Sequence, residues 1–173
     1  KKNFKIIFLK LLIKVTILIY LFIFSGLIFK GITQNDPYFK MNILYLFFVC
    51  MSSDVGGYVF GKTFKGKKLT KISPNKTISG AVGSFIFSIF LVPIFYFSFN
   101  NFNNIFNLIF ISFTISFFCQ LGDLLVSYLK RRAKVKNTSN ILPGHGGLLD
   151  RIDGMLLAIP IGILIWKFLI TTL

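Results

Sequence analysis

The sequence predicts an all-α protein, a polytopic transmembrane helical bundle with about five spans. Three observations carry that reading. The 173 residues are 54% hydrophobic and include 23 Phe, more apolar surface than a soluble domain of this length hides. The apolar residues come in long blocks rather than helical stripes, so lipid is their natural solvent. The cations gather between alternate blocks, as topology signals do.

The spans are expected near residues 13–30, 41–61, 77–99, 104–129 and 152–172. Each approaches the roughly 20 helical residues that cross a hydrocarbon core of about 30 Å. Helices are the expected spanning form, because every backbone polar group must be paired inside lipid. Residues 1–14 hold five Lys, residues 62–76 hold six, and residues 130–151 hold six cations. Residues 31–40 hold one Lys and residues 100–104 none. Five crossings place the three basic segments on one side, which the positive-inside rule assigns to the cytoplasm. Lys10 and Lys14 interrupt the first segment, so a surface helix is the alternative there. No small-residue cleavage site follows the first apolar run, so a cleaved signal peptide is not expected. The whole chain, 1–173, is expected to form a single membrane domain.

Charge and cysteine usage narrow the partners. Twenty Lys and Arg face five Asp and no Glu. Such a balance favours anionic partners, namely lipid headgroups and nucleotides. Nucleic acid is not expected, since no soluble domain is there to hold it. Cys50 and Cys119 lie inside apolar stretches without CxxC spacing or a nearby His, and read as small buried residues.

Four of the five acids stand in costly places. Asp54 precedes Lys62 by eight residues, and Asp123 precedes Lys130 by seven. At ~1.5 Å per residue, both carboxylates lie about 10–12 Å from the cytoplasmic ends of their spans. Asp150 and Asp153 stand three apart at the start of the last span, on one face if helical. A carboxylate inside a span costs at least ~2.5–3.5 kcal/mol at mid-bilayer, so it usually has a partner or a task. A structural alternative is that each Asp pairs with a Lys or sits among headgroups. Carboxylates converging in a sheltered pocket repel unless a cation joins them, and oxygen-only ligands favour Mg²⁺.

The polar loops suit phosphate. Ser73-Pro74-Asn75-Lys76-Thr77 is expected to open a helix, with Ser73 as N-cap and Pro74 in the first turn. Free amides there, beside Lys76, make an anion site; an ordinary capped helix end is the alternative. Gly80 and Gly83 suit close contact with another helix or a ligand. Leu142-Pro-Gly144-His145-Gly146-Gly147 is a turn with three glycines around the sole His. Glycines let backbone amides face an anion, and His145 donates to phosphate or moves a proton near neutral pH. Lys130-Arg131-Arg132, taken alone, reads as a topology signal. Gly56–Thr63 fits the P-loop pattern, but that motif needs a preceding strand and is rejected inside a span.

Ser127-Tyr-Leu-Lys130-Arg131, Lys136 and the run Leu142–Asp153 together resemble the signature of the phosphatidate cytidylyltransferase family. Gly122-Asp123 precedes that run at matching spacing. The segment Asp54–Lys62 and the segment Ser73–Gly80 look like two further blocks in the right order, so the resemblance covers residues 50–160. It implies a polytopic, usually dimeric membrane enzyme that moves CMP from CTP to phosphatidic acid and releases pyrophosphate. It implies Mg²⁺ at Asp123 and Asp150, with or without a second cation such as K⁺. The roles it implies are catalytic for Asp123, Asp150, Asp153, Lys130, Arg131 and His145. Substrate binding falls to Asp54, Ser73, Lys76, Ser127, Gly144, Gly146, Gly147 and Arg151. The chain departs from the family at Asn137, usually Asp, and at Ser79, often Glu. Competing readings are a CTP-dependent polyprenol or phytol kinase, an ion or proton transporter, and a non-catalytic lipid-binding relative.

Overall fold

A computed structural model describes residues 2–33, 37–70, 73, 76–98, 104–132 and 149–171. Among these residues the regular elements are five helices: α1 Lys2–Thr33, α2 Pro37–Phe64, α3 Ile78–Ser98, α4 Ile105–Arg132 and α5 Leu149–Thr171. Among the described residues, four stretches are long and apolar enough to cross a membrane: Phe39–Phe64, Ile78–Ser98, Ile105–Arg132 and Ile152–Leu169. The apolar part of α1, Ile17–Thr33, is shorter. Its two expected placements, crossing or lying at the surface, leave the rest unchanged. The ends of α2 and α4, at Phe64 and Arg132, lie on one side either way, because two spans separate them. The chain is a multi-pass membrane protein.

The chain divides into two compact units, Lys1–Lys40 and Met41–Leu173. The first holds α1 and the start of α2. In the second, α4 is the hub, packing against α5 and α3. Tyr45, Leu46, Val49, Cys50, Leu108, Ile115, Cys119 and Ile159 are buried there. Many Phe face outward instead, among them Phe90, Phe97, Phe106 and Phe168, as lipid-facing side chains do.

Lipid tails are as apolar as Leu, so helix association rests on close packing and polar links. Both are present. The Tyr45 hydroxyl donates to the Leu108 carbonyl at 3.3 Å and shares a hydrogen bond with Ser112. Ser53 and Ser116 are 2.9 Å apart, and Ser52 donates to the Phe87 carbonyl at 2.8 Å. Glycines let backbones meet. A Cβ on Gly83 would stand 2.7 Å from the Gly56 carbonyl oxygen, and one on Gly80 would stand 2.7 Å from that of Gly57. Gly80 and Gly83 therefore serve close contact between α2 and α3.

One boundary differs from expectation. Ser73 does not cap α3, which begins at Ile78. Thr77 is the cap, its hydroxyl oxygen accepting the Gly80 N–H at 3.1 Å. The reason lies in the preceding loop. Lys68 and Thr77 pair as an antiparallel bridge, with Leu69 N–H donating to Lys76 O at 2.7 Å and Ile78 N–H to Lys67 O at 2.9 Å. Backbone committed to that ladder cannot be helical, so the start signal at Ser73-Pro74 is overridden. Ser73 instead accepts the Lys76 N–H at 3.1 Å through its carbonyl. Residues 65–70 and 76–77 thus form a strap between α2 and α3. Lys65 begins it in the left-handed region (φ 41°), which ends α2 at Phe64. The P-loop-like run Gly56–Thr63 lies wholly within α2, consistent with its rejection.

Candidate active site

Three of the acids arrive on three different helices. Asp54 comes from α2, Asp123 from α4 and Asp153 from α5. What brings α4 and α5 together is a pair of Asp-Gly neighbours. A Cβ on Gly122 would meet the Asp153 carbonyl oxygen at 3.1 Å, and one on Gly154 would meet Cys119 Sγ at 2.7 Å. Without side chains at either position the backbones touch, and the adjoining Asp123 and Asp153 are held at one level of the bundle.

The cations come from the strap and from the end of α4. Lys76 forms an ion pair with Asp123 Oδ2, and both side chains are partly exposed. Asp123 Oδ1 accepts from Ser127, one turn on, at 3.4 Å. Lys130 Nζ stands 3.5 Å from Asp153 Oδ2, and this pair is more sheltered, with side chains 14% and 11% exposed. The other Asp153 oxygen accepts the Gly154 N–H at 2.9 Å. Asp54 accepts from the Cys119 thiol at 3.7 Å. The three carboxylates repel one another, and Lys76 and Lys130 offset that repulsion.

Beside this cluster is a cavity of about 210 Å³, lined among others by Asp54, Tyr58, Lys76, Thr77, Gln120 and Asp123. Asp54, open to either a structural or a functional reading in the sequence, thus faces the same space as Lys76 and Asp123. Lys130 and Arg131 occupy the last turn of α4, where cations complement the helix dipole. Arg131 is exposed, and among the described residues it makes no ion pair. Gly144, His145, Gly146 and Gly147 lie outside the described residues. Asp150 and Arg151 are in the first turn of α5, three and two residues before Asp153, but their side chains lie outside the described set.

The donor chemistry suits a hard divalent cation, since three carboxylates lie near one another and, among the described residues, two lysines pair with them. Among the described residues no three ligand side chains converge on one point, and Asp150, expected to share a cation with Asp123, falls outside them. Sequence reading missed Tyr58, Thr77, Gln120 and Gly154. The repeated Asp-Gly pairing in α4 and α5 was the available signal for Gly154.

The Cytidylyltransferase family model matches residues 3–169. The phosphatidate cytidylyltransferase of Staphylococcus haemolyticus (strain JCSC1435) is 46% identical over 121 residues, covering 69% of this chain and 46% of that protein. The phosphatidate cytidylyltransferase of Bacillus subtilis (strain 168) is 38% identical over 142 residues, covering 80% of this chain and 53% of that protein. The chain therefore spans about half the length of the curated relatives it matches. A solved intramembrane enzyme of archaeal membrane lipid biosynthesis shares the fold, with a TM-score of 0.53 and 22% identity over 69% of this chain and 75% of that one. The family match runs through every helix that supplies a residue to the cluster, and on that ground the chain belongs to the cytidylyltransferase family.

Proposed function

We propose that this protein transfers CMP from CTP to phosphatidic acid, giving CDP-diacylglycerol and pyrophosphate. The observation that carries the reading is the joining of Asp54, Lys76 and Asp123 around one cavity, with Lys130–Asp153 beside it, in a chain related to phosphatidate cytidylyltransferases. In the reaction a phosphate oxygen of phosphatidic acid attacks the α-phosphorus of CTP. The bond from that phosphorus to the bridging oxygen breaks, and pyrophosphate leaves. A phosphate monoester is a competent nucleophile near neutral pH, so the protein mainly positions and neutralises charge.

Lys76 and Lys130 hold phosphate oxygens, with Arg131 and Arg151 reaching the same polyanion. Ser73, Ser127 and the 144–147 turn add hydrogen bonds, and His145 donates to a phosphate. Asp123 and Asp150 would hold Mg²⁺, which neutralises charge on the transferring phosphate when bound, and Asp153 orients a ligand or a second cation such as K⁺. The catalytic face lies on the cytoplasmic side of a bacterial inner membrane, where both basic segments belong by the positive-inside rule. The protein acts as a homodimer and engages membrane lipid, not nucleic acid.

The test uses purified protein, CTP labelled in the base and the γ-phosphate, dioleoyl phosphatidate and Mg²⁺. Labelled CDP-diacylglycerol and pyrophosphate in equal amounts are expected. Labelled CDP with a phosphorylated alcohol, in a parallel reaction with phytol in place of the phosphatidate, would instead identify a kinase. No turnover at saturating CTP and phosphatidic acid would contradict the reading.

Ser79, where the family often has Glu, acts here as a latch for the strap. Its hydroxyl accepts the Gly66 N–H at 3.3 Å and lies 3.0 Å from the Thr77 hydroxyl. Ser79→Ala removes both links and loosens the segment that carries Lys76. One neutral hydrogen bond is worth about 1 kcal/mol, so kcat/KM for CTP is expected to fall about fivefold. Ser79→Thr is expected to retain activity, and steady-state kinetics of the two variants check the difference.

A further inference from the structure

Tyr58 and Lys62 sit one turn apart near the end of α2, which closes at Phe64. Tyr58 lines the cavity that holds Asp54, Lys76 and Asp123, yet is 67% exposed. It therefore forms the lip of that cavity rather than its floor. Lys62 Nζ donates to the Tyr58 hydroxyl at 3.4 Å and stands 5.6 Å from the ring centroid. Among the described residues that is its one polar partner, and no carboxylate pairs with it.

The chemistry of the pair follows from this geometry. Because Lys62 donates to the tyrosine oxygen, the phenolic proton remains free to donate elsewhere. The ammonium keeps two further hydrogens of its own. Three donors carrying one positive charge thus stand together at the lip, with no anion among the described residues to satisfy them. On the same exposed side of α2, Met51, Val55 and Val59 present apolar side chains. An anion docking here with acyl chains could lay them along that apolar strip. These side chains belong to a membrane-spanning stretch, Phe39–Phe64, so the lip borders the acyl region, from which an anion arrives on acyl chains.

We propose that Tyr58 and Lys62 form the lateral docking site for the headgroup phosphate of an anionic membrane lipid, handing it to the cavity behind Tyr58. This inference rests on the cytidylyltransferase reading in taking that lipid to be phosphatidic acid, the acceptor. Lys76 and Asp123 line the same cavity and are less exposed than Tyr58, so a phosphate held at the lip adjoins the reacting groups. The pair selects the lipid and takes no part in holding the nucleotide.

The kinetic test uses dodecyl maltoside mixed micelles in which the mole fraction of dioleoyl phosphatidate is varied at saturating CTP. Hydrogen bonds to a charged partner are worth about 1.5–3 kcal/mol. Lys62→Gln is therefore expected to raise the half-saturating mole fraction about tenfold, with kcat and the KM for CTP unchanged. Tyr58→Phe is expected to raise it less, and Lys62→Arg to restore it. A shift in the KM for CTP would mean that Lys62 holds the nucleotide, and no shift in either substrate would mean that it holds neither; both overturn the proposal.

The binding test needs no turnover. Native mass spectrometry compares retention of dioleoyl phosphatidate against dioleoyl phosphatidylcholine, without CTP, by the unaltered protein and Lys62→Gln. Preferential retention lost in Lys62→Gln is expected, and equal retention by both would overturn the site. If the unaltered protein keeps phosphatidate through Lys62 but turns over no CTP, the lipid site stands and the cytidylyltransferase reading falls.

Discussion

Asp123→Asn is expected to lower CMP transfer by roughly 10²–10³-fold while the protein still inserts and folds. The substitution keeps the size of the side chain and leaves an oxygen for Ser127, which stands 3.4 Å away. It removes the charge that faces Lys76. Folding survives because Asp54, which lines the same cavity, still attracts Lys76. Catalysis does not survive, because the lost charge is the one proposed to hold Mg²⁺ against the transferring phosphate. Turnover with labelled CTP across a Mg²⁺ titration, together with a thermal melt, separates the two effects. Asp150→Asn is expected to behave alike. Near-normal turnover by both variants would remove the metal assignment.

Gly83→Val is expected to destabilise the α2–α3 contact by about 1–3 kcal/mol or more, and to abolish activity with it. A Cβ at this position would stand 2.4 Å from Phe60 Cβ and 2.7 Å from the Gly56 carbonyl oxygen. Neither neighbour is the far end of a flexible side chain, so the helices themselves must separate. That separation opens the wall formed by Gly57 and Gly80 and shifts the strap that carries Lys76. Gly26→Ala is the matched control, since a Cβ there meets nothing within 4 Å. The control is expected to melt no lower than the unaltered protein, because Ala suits a helix better than Gly by up to ~1 kcal/mol. Equal melting points for Gly83→Val and the unaltered protein would contradict the packing account.

How far the sequence reveals such a site depends on the kind of force involved. Four spans are legible because a run of some 20 apolar residues has few alternatives to a membrane helix. The acids are legible for the same reason, since Asp54, Asp123 and Asp153 stand out against the apolar background. Their partners are less so. Lys76 was expected to lie on a helix start, yet it reaches Asp123 from a strap held by the Lys68–Thr77 bridge. Strong local signals at Ser73-Pro74 lose there to tertiary pairing that no local pattern announces. Cys119 reads as a small apolar residue and is indeed buried, but its thiol also touches Asp54. Tyr58 is invisible in the sequence because its task depends on which face of α2 borders the cavity. Gly154 is hidden likewise, since its role exists only where α5 meets Cys119 of α4.

Central to all of this is the meeting of the strap with α4 over the cavity. It is tested most directly by cross-linking in native membranes. The protein carries Lys76→Cys and Asp123→Cys in a Cys50→Ala, Cys119→Ala background and is treated with a short thiol-to-thiol bifunctional reagent. The structure predicts an intramolecular cross-link between positions 76 and 123, formed as readily as one between Tyr45→Cys and Ser112→Cys, whose parent side chains are hydrogen-bonded. No product for the first pair, with ready cross-linking of the second, would mean that Lys76 and Asp123 do not share a site.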